Sequence, residues 1–213
     1  MKLEADLITR FRERAVPYLA VPLTNTWEYL FLMQHFGVPT RLLDWTENPL
    51  IGLFFALSSA RRSEDTNLYR EPATVWMLKP AQWNRSAFSH FATRYNGSVL
   101  SVNHKYLTQY MPGDDTEPPK FPAAIYGIHN SPRIVAQRGV FTIYGSDARP
   151  MEDIYQAGDF VGEEGALVKV EIPLEHIESM LKRLLNMGYT DVVMFPDLEG
   201  LARETKRLFG FGV

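Results

Sequence analysis

Residues 48–60 read Asn-Pro-Leu-Ile-Gly-Leu-Phe-Phe-Ala-Leu-Ser-Ser-Ala, and as a helix the Leu50 to Ala60 run has almost no polar face. Asparagine followed by proline is the pattern of a cap and a first helical residue, because proline has no N–H to lose there and its φ is already helical. A helix that is apolar nearly all round must be covered by other elements, so the chain has to build a globular core about it. A membrane span is excluded, since the longest apolar run, Leu50 to Leu57, falls far below the roughly 18–20 residues a bilayer needs. The 213 residues are ample for such a core, and one domain over 1–213 is the expectation.

Charge narrows the partners. Lys and Arg number 22 against 25 Asp and Glu, a net charge of −3, without the basic excess that nonspecific nucleic-acid binding requires. The absence of cysteine excludes a disulfide scaffold, a thiolate nucleophile, iron–sulfur clusters and sulfur-ligated zinc. It also agrees with a reducing compartment. Glu4 and Asp6 follow Lys2 closely, so the amino end lacks the basic-then-apolar pattern of a secretory signal. The expected location is the cytoplasm.

Around the central helix, spacing and breakers place the other elements. Leu3, Leu7, Ile8, Phe11 and Ala15 recur at helical spacing with Glu4 among the intervening polar residues, and Pro17 ends that helix. Asn25 and Glu28 form a capping-box pattern for a second helix, Thr26 to Phe36, stopped by Gly37. Strands are expected at 41–44, 73–78, 140–144, 167–172 and 191–195, with helices at about 102–111, between the last two strands, and from Asp197 to about Phe209. A solvated loop is expected over 112–122 from its Gly, Pro and acidic content. Helices and strands interleave without regular βαβ spacing, which gives an α+β class with a mixed or antiparallel central sheet and packed helices.

Most familiar chemistry is absent. No G-x-G-x-x-G, Walker lysine loop, G-x-S-x-G or H-E-x-x-H motif occurs, and the five histidines lack close ligand spacing, so no metal ligands are assigned. The informative stretch is Gln34 to Thr46, where polar and aromatic residues gather between two apolar helices. Phe31, Gln34 and His35 share a helix face by the i, i+3, i+4 rule. Arg41 and Asp44 have opposite strand parity, yet a turn beginning at Trp45 and Thr46 would bring the carboxylate back, and a mutually dependent Arg41–Asp44 pair is expected. In a purely architectural alternative, Arg41 is a buried guanidinium that ties together carbonyls and Asp44, His35 and Gln34 satisfy helix ends, and no ligand is bound.

These residues carry a resemblance. Gln34-His35-Phe36-Gly37-Val38-Pro39-Thr40-Arg41-Leu42-Leu43-Asp44-Trp45-Thr46, with Asn48-Pro49 and Leu53-Phe54-Phe55-Ala56, resembles the central signature of the FRG domain family. Gln137-Arg138-Gly139-Val140-Phe141-Thr142 is similar to its second block and Phe195 to Leu201 to its ending. The Phe-Arg-Gly tripeptide that names the family does not occur in the chain. The expectation is that the chain either is a fragment starting after that strand or has lost it, with a partner chain as a further source, and that full NAD chemistry depends on it.

The resemblance implies a bacterial or phage-associated domain found in defence or toxin contexts, with a layout distantly like an ADP-ribosyltransferase. Under that analogy the substrate is NAD and the acceptor is a protein or nucleic acid. Gln137 and Arg41 are the catalytic candidates, Gln137 accepting from a ribose hydroxyl and Arg41 meeting phosphates, with Arg133 and Arg138 behind it. Gln34, His35, Asp44, Trp45, Thr46 and Tyr144 are the nucleotide-binding candidates, the aromatic rings offering faces for stacking. The alternative is a non-catalytic module that binds a nucleotide, a nucleic acid or a protein.

Overall fold

Proline and short polar side chains set most helix starts in this chain. The computed structural model describes all residues except 1, 20, 64, 67, 91–94, 112–116, 130 and 212–213. In chain order the elements are α1 (Lys2–Ala15), α2 (Thr26–His35), β1 (Leu42–Thr46), α3 (Pro49–Ser58), β2 (Ala73–Leu78), α4 (Pro80–Ala87), β3 (Ala123–Ile125), α5 (Pro132–Ala136), β4 (Gly139–Ile143), α6 (Met151–Gln156), β5 (Leu167–Ile172), α7 (Leu174–Asn186), α8 (Asp191–Met194) and α9 (Leu198–Leu208). Asn25 caps α2 through the full reciprocal box with Glu28, and Gly37 follows its end with φ +72°, a left-handed value that glycine adopts without strain. Asn48, Ser131 and Asp197 cap α3, α5 and α9 through their side chains.

The α+β class holds: helices combine with antiparallel strands. Strands β1, β4 and β3 form one sheet in that order, and β2 and β5 form another. No described helix is long and apolar enough to cross a membrane. The chain divides into two compact units, the first comprising Met1–Asp44, Lys79–Asn130 and Val140–Ala166, the second Trp45–Leu78, Ser131–Gly139 and Leu167–Val213.

In the first unit α1 packs on α2 and α4 on β3. β3 pairs antiparallel with β4, Ala123 opposite Ile143. Fully buried Trp83 donates its indole N–H to the Pro122 carbonyl at 2.8 Å. Neighbouring Asn84, also fully buried, accepts from the Ala124 N–H at 2.7 Å and donates to the Ser98 and Ala124 carbonyls. A buried amide with both ends satisfied fixes the position of β3, because any shift would orphan polar atoms in a dry interior. Neither α4 nor β3 is readable from periodicity, since each is short and mixes aromatic with polar residues.

In the second unit β2 and β5 run antiparallel from Ala73 opposite Ile172 to Leu78 opposite Leu167. Helices α3 and α7 join a core of Ile51, Phe54, Leu57, Ile177, Leu184, Met194 and Phe195. The apolar helix α3 is therefore central to this unit. Two expected elements differ. The strand expected at 191–195 is the short helix α8, and the helix expected near 102–111 is a 3₁₀ helix, Lys105–Tyr110. Val192-Val193 favour a strand locally, but Asp191 is 2% exposed and accepts from Arg207 Nε at 2.7 Å and Nη2 at 3.1 Å. Pairing a buried carboxylate outweighs a propensity difference well below ~1 kcal/mol per residue. The loop expected over 112–122 lies partly outside the described residues.

Phe54 is fully buried, so Phe54→Ala is expected to cost about 3–5 kcal/mol in urea unfolding, the range for deleting a ring from a packed core. An unchanged midpoint would remove α3 from the centre of the second unit.

Candidate functional site

The arginine of the signature stretch is engaged on every side. Arg41 Nε donates to Glu4 Oε2, Nη1 to the Tyr144 carbonyl and Nη2 to the Tyr110 carbonyl, each at 2.8 Å. The Tyr144 N–H returns a bond to the Arg41 carbonyl at 2.9 Å. The Arg41 and Glu4 side chains are 17% and 9% exposed, a pair largely withdrawn from water. Tyr110 is fully buried, its hydroxyl donates to the Phe121 carbonyl at 2.7 Å, and burial raises its pKa far above the ordinary tyrosine value. Glu4 Oε1 is also buried and has no hydrogen-bond partner among the described residues.

Glu4 takes the place expected for Asp44. Strand parity gives the reason: residues three apart on an extended segment point to opposite faces, and β1 continues through Thr46 without the turn that would have reversed Asp44. The sequence does hold a signal for Glu4, since Glu4, Ile8 and Ala15 lie within a narrow arc of α1 and are its three buried residues. A carboxylate on an apolar stripe asks for a cation.

Asp44 instead accepts from Gln34 Nε2 at 2.7 Å, and Gln34 Oε1 accepts from the Thr40 hydroxyl at 2.5 Å. Thr40 Oγ1 in turn accepts from the Leu42 N–H at 3.1 Å. This relay pins the turn between α2 and β1. His35 closes α2 with its ring edge-on to Phe36, centroids 4.7 Å apart. The Tyr144 hydroxyl has its pKa raised, by burial first and then by the Glu152 carboxylate, with a smaller push from Asp147. Within the first unit, then, Gln34 meets Asp44 and Arg41 meets Tyr144.

A second cluster lies within the second unit. The Thr46 hydroxyl donates to the Gln137 carbonyl at 2.7 Å and accepts from the Asn48 N–H at 3.1 Å, tying the start of α3 to the end of α5. Gln137 Nε2 donates to the Met194 carbonyl at 3.0 Å. Its side-chain oxygen is the end left for another group. Arg138 follows with φ +49°, and its carbonyl accepts from the Glu47 N–H at 3.2 Å. Trp45 is half-buried in β1.

Near Gln137, the Arg133 guanidinium stands 4.4 Å from the Phe195 ring centroid, and Arg203 stands at 4.4 Å from the same ring. Arg203 also pairs with Glu199 at 2.5 Å. Arg133 forms no ion pair among the described residues. Arg133, backed by the Phe195 ring and without a carboxylate partner among the described residues, is a cation suited to meet a phosphate or pyrophosphate. The sequence offered Arg133 and Phe195 without joining them, and gave no hint of Arg203, because the contact bridges α5, α8 and α9.

The family model described as the FRG domain matches residues 1–65. The match takes in Gln34, His35, Arg41, Asp44, Trp45 and Thr46, whereas Gln137 and Tyr144 lie beyond it. No curated protein and no solved structure matches the chain at the significance required.

Removing Arg41 leaves a buried carboxylate uncompensated, and Arg41→Ala is expected to cost about 3–5 kcal/mol. Double-mutant cycles by urea titration should give Arg41 and Glu4 a coupling above ~1 kcal/mol, and Arg41 and Asp44 a coupling within ~0.5 kcal/mol of zero. The reverse order would return Arg41 to Asp44.

Proposed function

We propose, taking the FRG domain match of residues 1–65 as premise, that this protein is ADP-ribosyltransferase-like. It takes NAD as substrate and passes ADP-ribose to a protein or nucleic-acid acceptor, in a bacterial or phage defence or toxin setting. The observation that carries the reading is Arg133, a guanidinium braced on Phe195 and without an ion pair among the described residues, on the same short helix that ends at Gln137.

The chemistry requires little else of the second unit. The C1′–N bond to nicotinamide breaks with its electron pair leaving on nicotinamide, the acceptor's lone pair closes on C1′, and the acceptor's proton passes to solvent. Positive charge builds on the ribose in the transition state, so groups fixed before the reaction contribute most to rate. Arg133, seconded by Arg203, holds the pyrophosphate. Gln137 presents its side-chain oxygen to a ribose hydroxyl, oriented by the bond its amide nitrogen makes to Met194. Thr46 fixes the Gln137 backbone, and the half-buried Trp45 offers a ring face for stacking.

In this reading Arg41 is a positioning residue, because its three nitrogens already donate within the first unit. Gln34, His35, Asp44 and Tyr144 shape the same unit. A non-catalytic nucleotide-binding module is favoured by one observation: Gln137 is an amide and brings no formal charge to the developing cation.

Calorimetric titration with NAD and chromatographic detection of free nicotinamide test the proposal. Wild type is expected to bind NAD and, lacking the Phe-Arg-Gly strand, to release nicotinamide slowly, about 100- to 1000-fold below a chain supplied with it. Arg133→Ala should weaken binding by about tenfold or more, the worth of a charge-assisted hydrogen bond. Gln137→Ala should bind NAD and lose nicotinamide release. Binding without release in wild type would select the non-catalytic module, and no binding at all would overturn the nucleotide reading.

A further inference from the structure

Helix α9 is amphipathic in the reverse sense. Its charged and polar side faces the protein: Arg207 pairs with buried Asp191, Glu204 Oε2 accepts from the Val192 N–H at 3.1 Å, and Arg203 lies over Phe195. Gly200 is the buried residue of the helix, and a Cβ there would come within 1.9 Å of the Phe195 carbonyl oxygen. The apolar side faces solvent. Leu198 is 82% exposed, Leu208 78%, Phe209 77% and Leu201 53%. Scattered exposed leucines are ordinary, but a continuous stripe of them along one helix marks a docking surface.

We propose that this stripe is the interface with a second copy of the same chain, with the two α9 helices packed antiparallel. The spacing supports this occupant. Leu198, Ala202, Thr205 and Phe209 follow the 4-3-4 rhythm of a helix seam, with two small residues in the middle that let the backbones approach. Glu199, which also pairs with Arg203 of its own helix, and Lys206 lie along one border of that seam, and Leu201 and Leu208 along the other, each pair seven residues apart. A two-fold axis between residues 203 and 204 sets Leu198 against Phe209 of the second copy and Ala202 against Thr205. The same axis brings Leu201 to Leu208, and Glu199 to Lys206, twice over. The stripe is thus complementary to itself in shape and in charge, as an isologous contact requires. A parallel pair would instead set Glu199 and Lys206 beside leucines. Antiparallel packing also opposes the two helix dipoles favourably.

Light scattering behind size exclusion, at low salt and over about a hundred-fold range of protein concentration, reads the outcome because dimer mass is concentration-dependent. Wild type is expected to reach twice 24.4 kDa. Leu201→Asp with Leu208→Asp should return it to 24.4 kDa with an unchanged circular dichroism spectrum, since both side chains are exposed within one copy. Charge reversal supplies an independent reading. Glu199→Lys should weaken the dimer by about tenfold, and adding Lys206→Glu should restore it, because both border pairs re-form with their signs exchanged. Wild type at 24.4 kDa throughout would overturn the proposal, leaving the stripe to some other partner. So would a dimer that survives the two aspartates, or a charge-swapped chain no tighter than Glu199→Lys.

Discussion

A guanidinium withdrawn from water has to be met on all sides, and Arg41 imposes that condition on the first unit. Its partners come from far apart in the chain: Glu4 in the first turn of α1, the Tyr110 carbonyl at the end of a 3₁₀ helix, and the Tyr144 carbonyl just after β4. Each partner is held by something else as well. Tyr110 is anchored through its hydroxyl to Phe121, and Tyr144 through its N–H to the Arg41 carbonyl. A lysine would supply one point of charge where three directions are needed, so the planar fork is the feature selected here. Such a pair adds little net stability over a well-packed apolar substitute, but it is costly to break, and it specifies one arrangement of the segments that meet there.

The second unit uses the same device in the same chain order. The more buried group is again the acid, Asp191, and Arg207 comes to it from α9. That pairing turns the charged side of α9 inward, and it is the reason the helix shows its leucines to solvent. It also leaves Phe195, next to the end of α8, as a platform approached by Arg133 and Arg203. The cationic site and the exposed stripe are thus two consequences of one buried carboxylate.

Much of the architecture is legible in the residues because it is encoded locally. The Asn25–Glu28 box, Asn48-Pro49, Ser131-Pro132 and Asp197 each announce a helix start through a bond made within a few residues. The site is harder to read, since its contacts are long-range. Asp44 was a reasonable partner for Arg41 from three residues away, yet the carboxylate that meets it is 37 residues off, at Glu4. Gln137 stood out by resemblance, while its partner is a backbone carbonyl at Met194, which carries no sequence signature. Asp191 to Phe195 misleads for the same reason: valines suggest a strand, and only the distant Arg207 explains the helix.

The division of labour between a structural arginine and a ligand-facing one is the centre of this account. Calorimetric titration of Arg41→Lys with NAD, run well below its melting temperature, tests it most directly. If Arg41 is architectural, the variant melts several degrees below wild type and binds NAD with wild-type affinity. An unchanged melting temperature with lost affinity would contradict the account, because Arg41 would then be contacting the ligand itself.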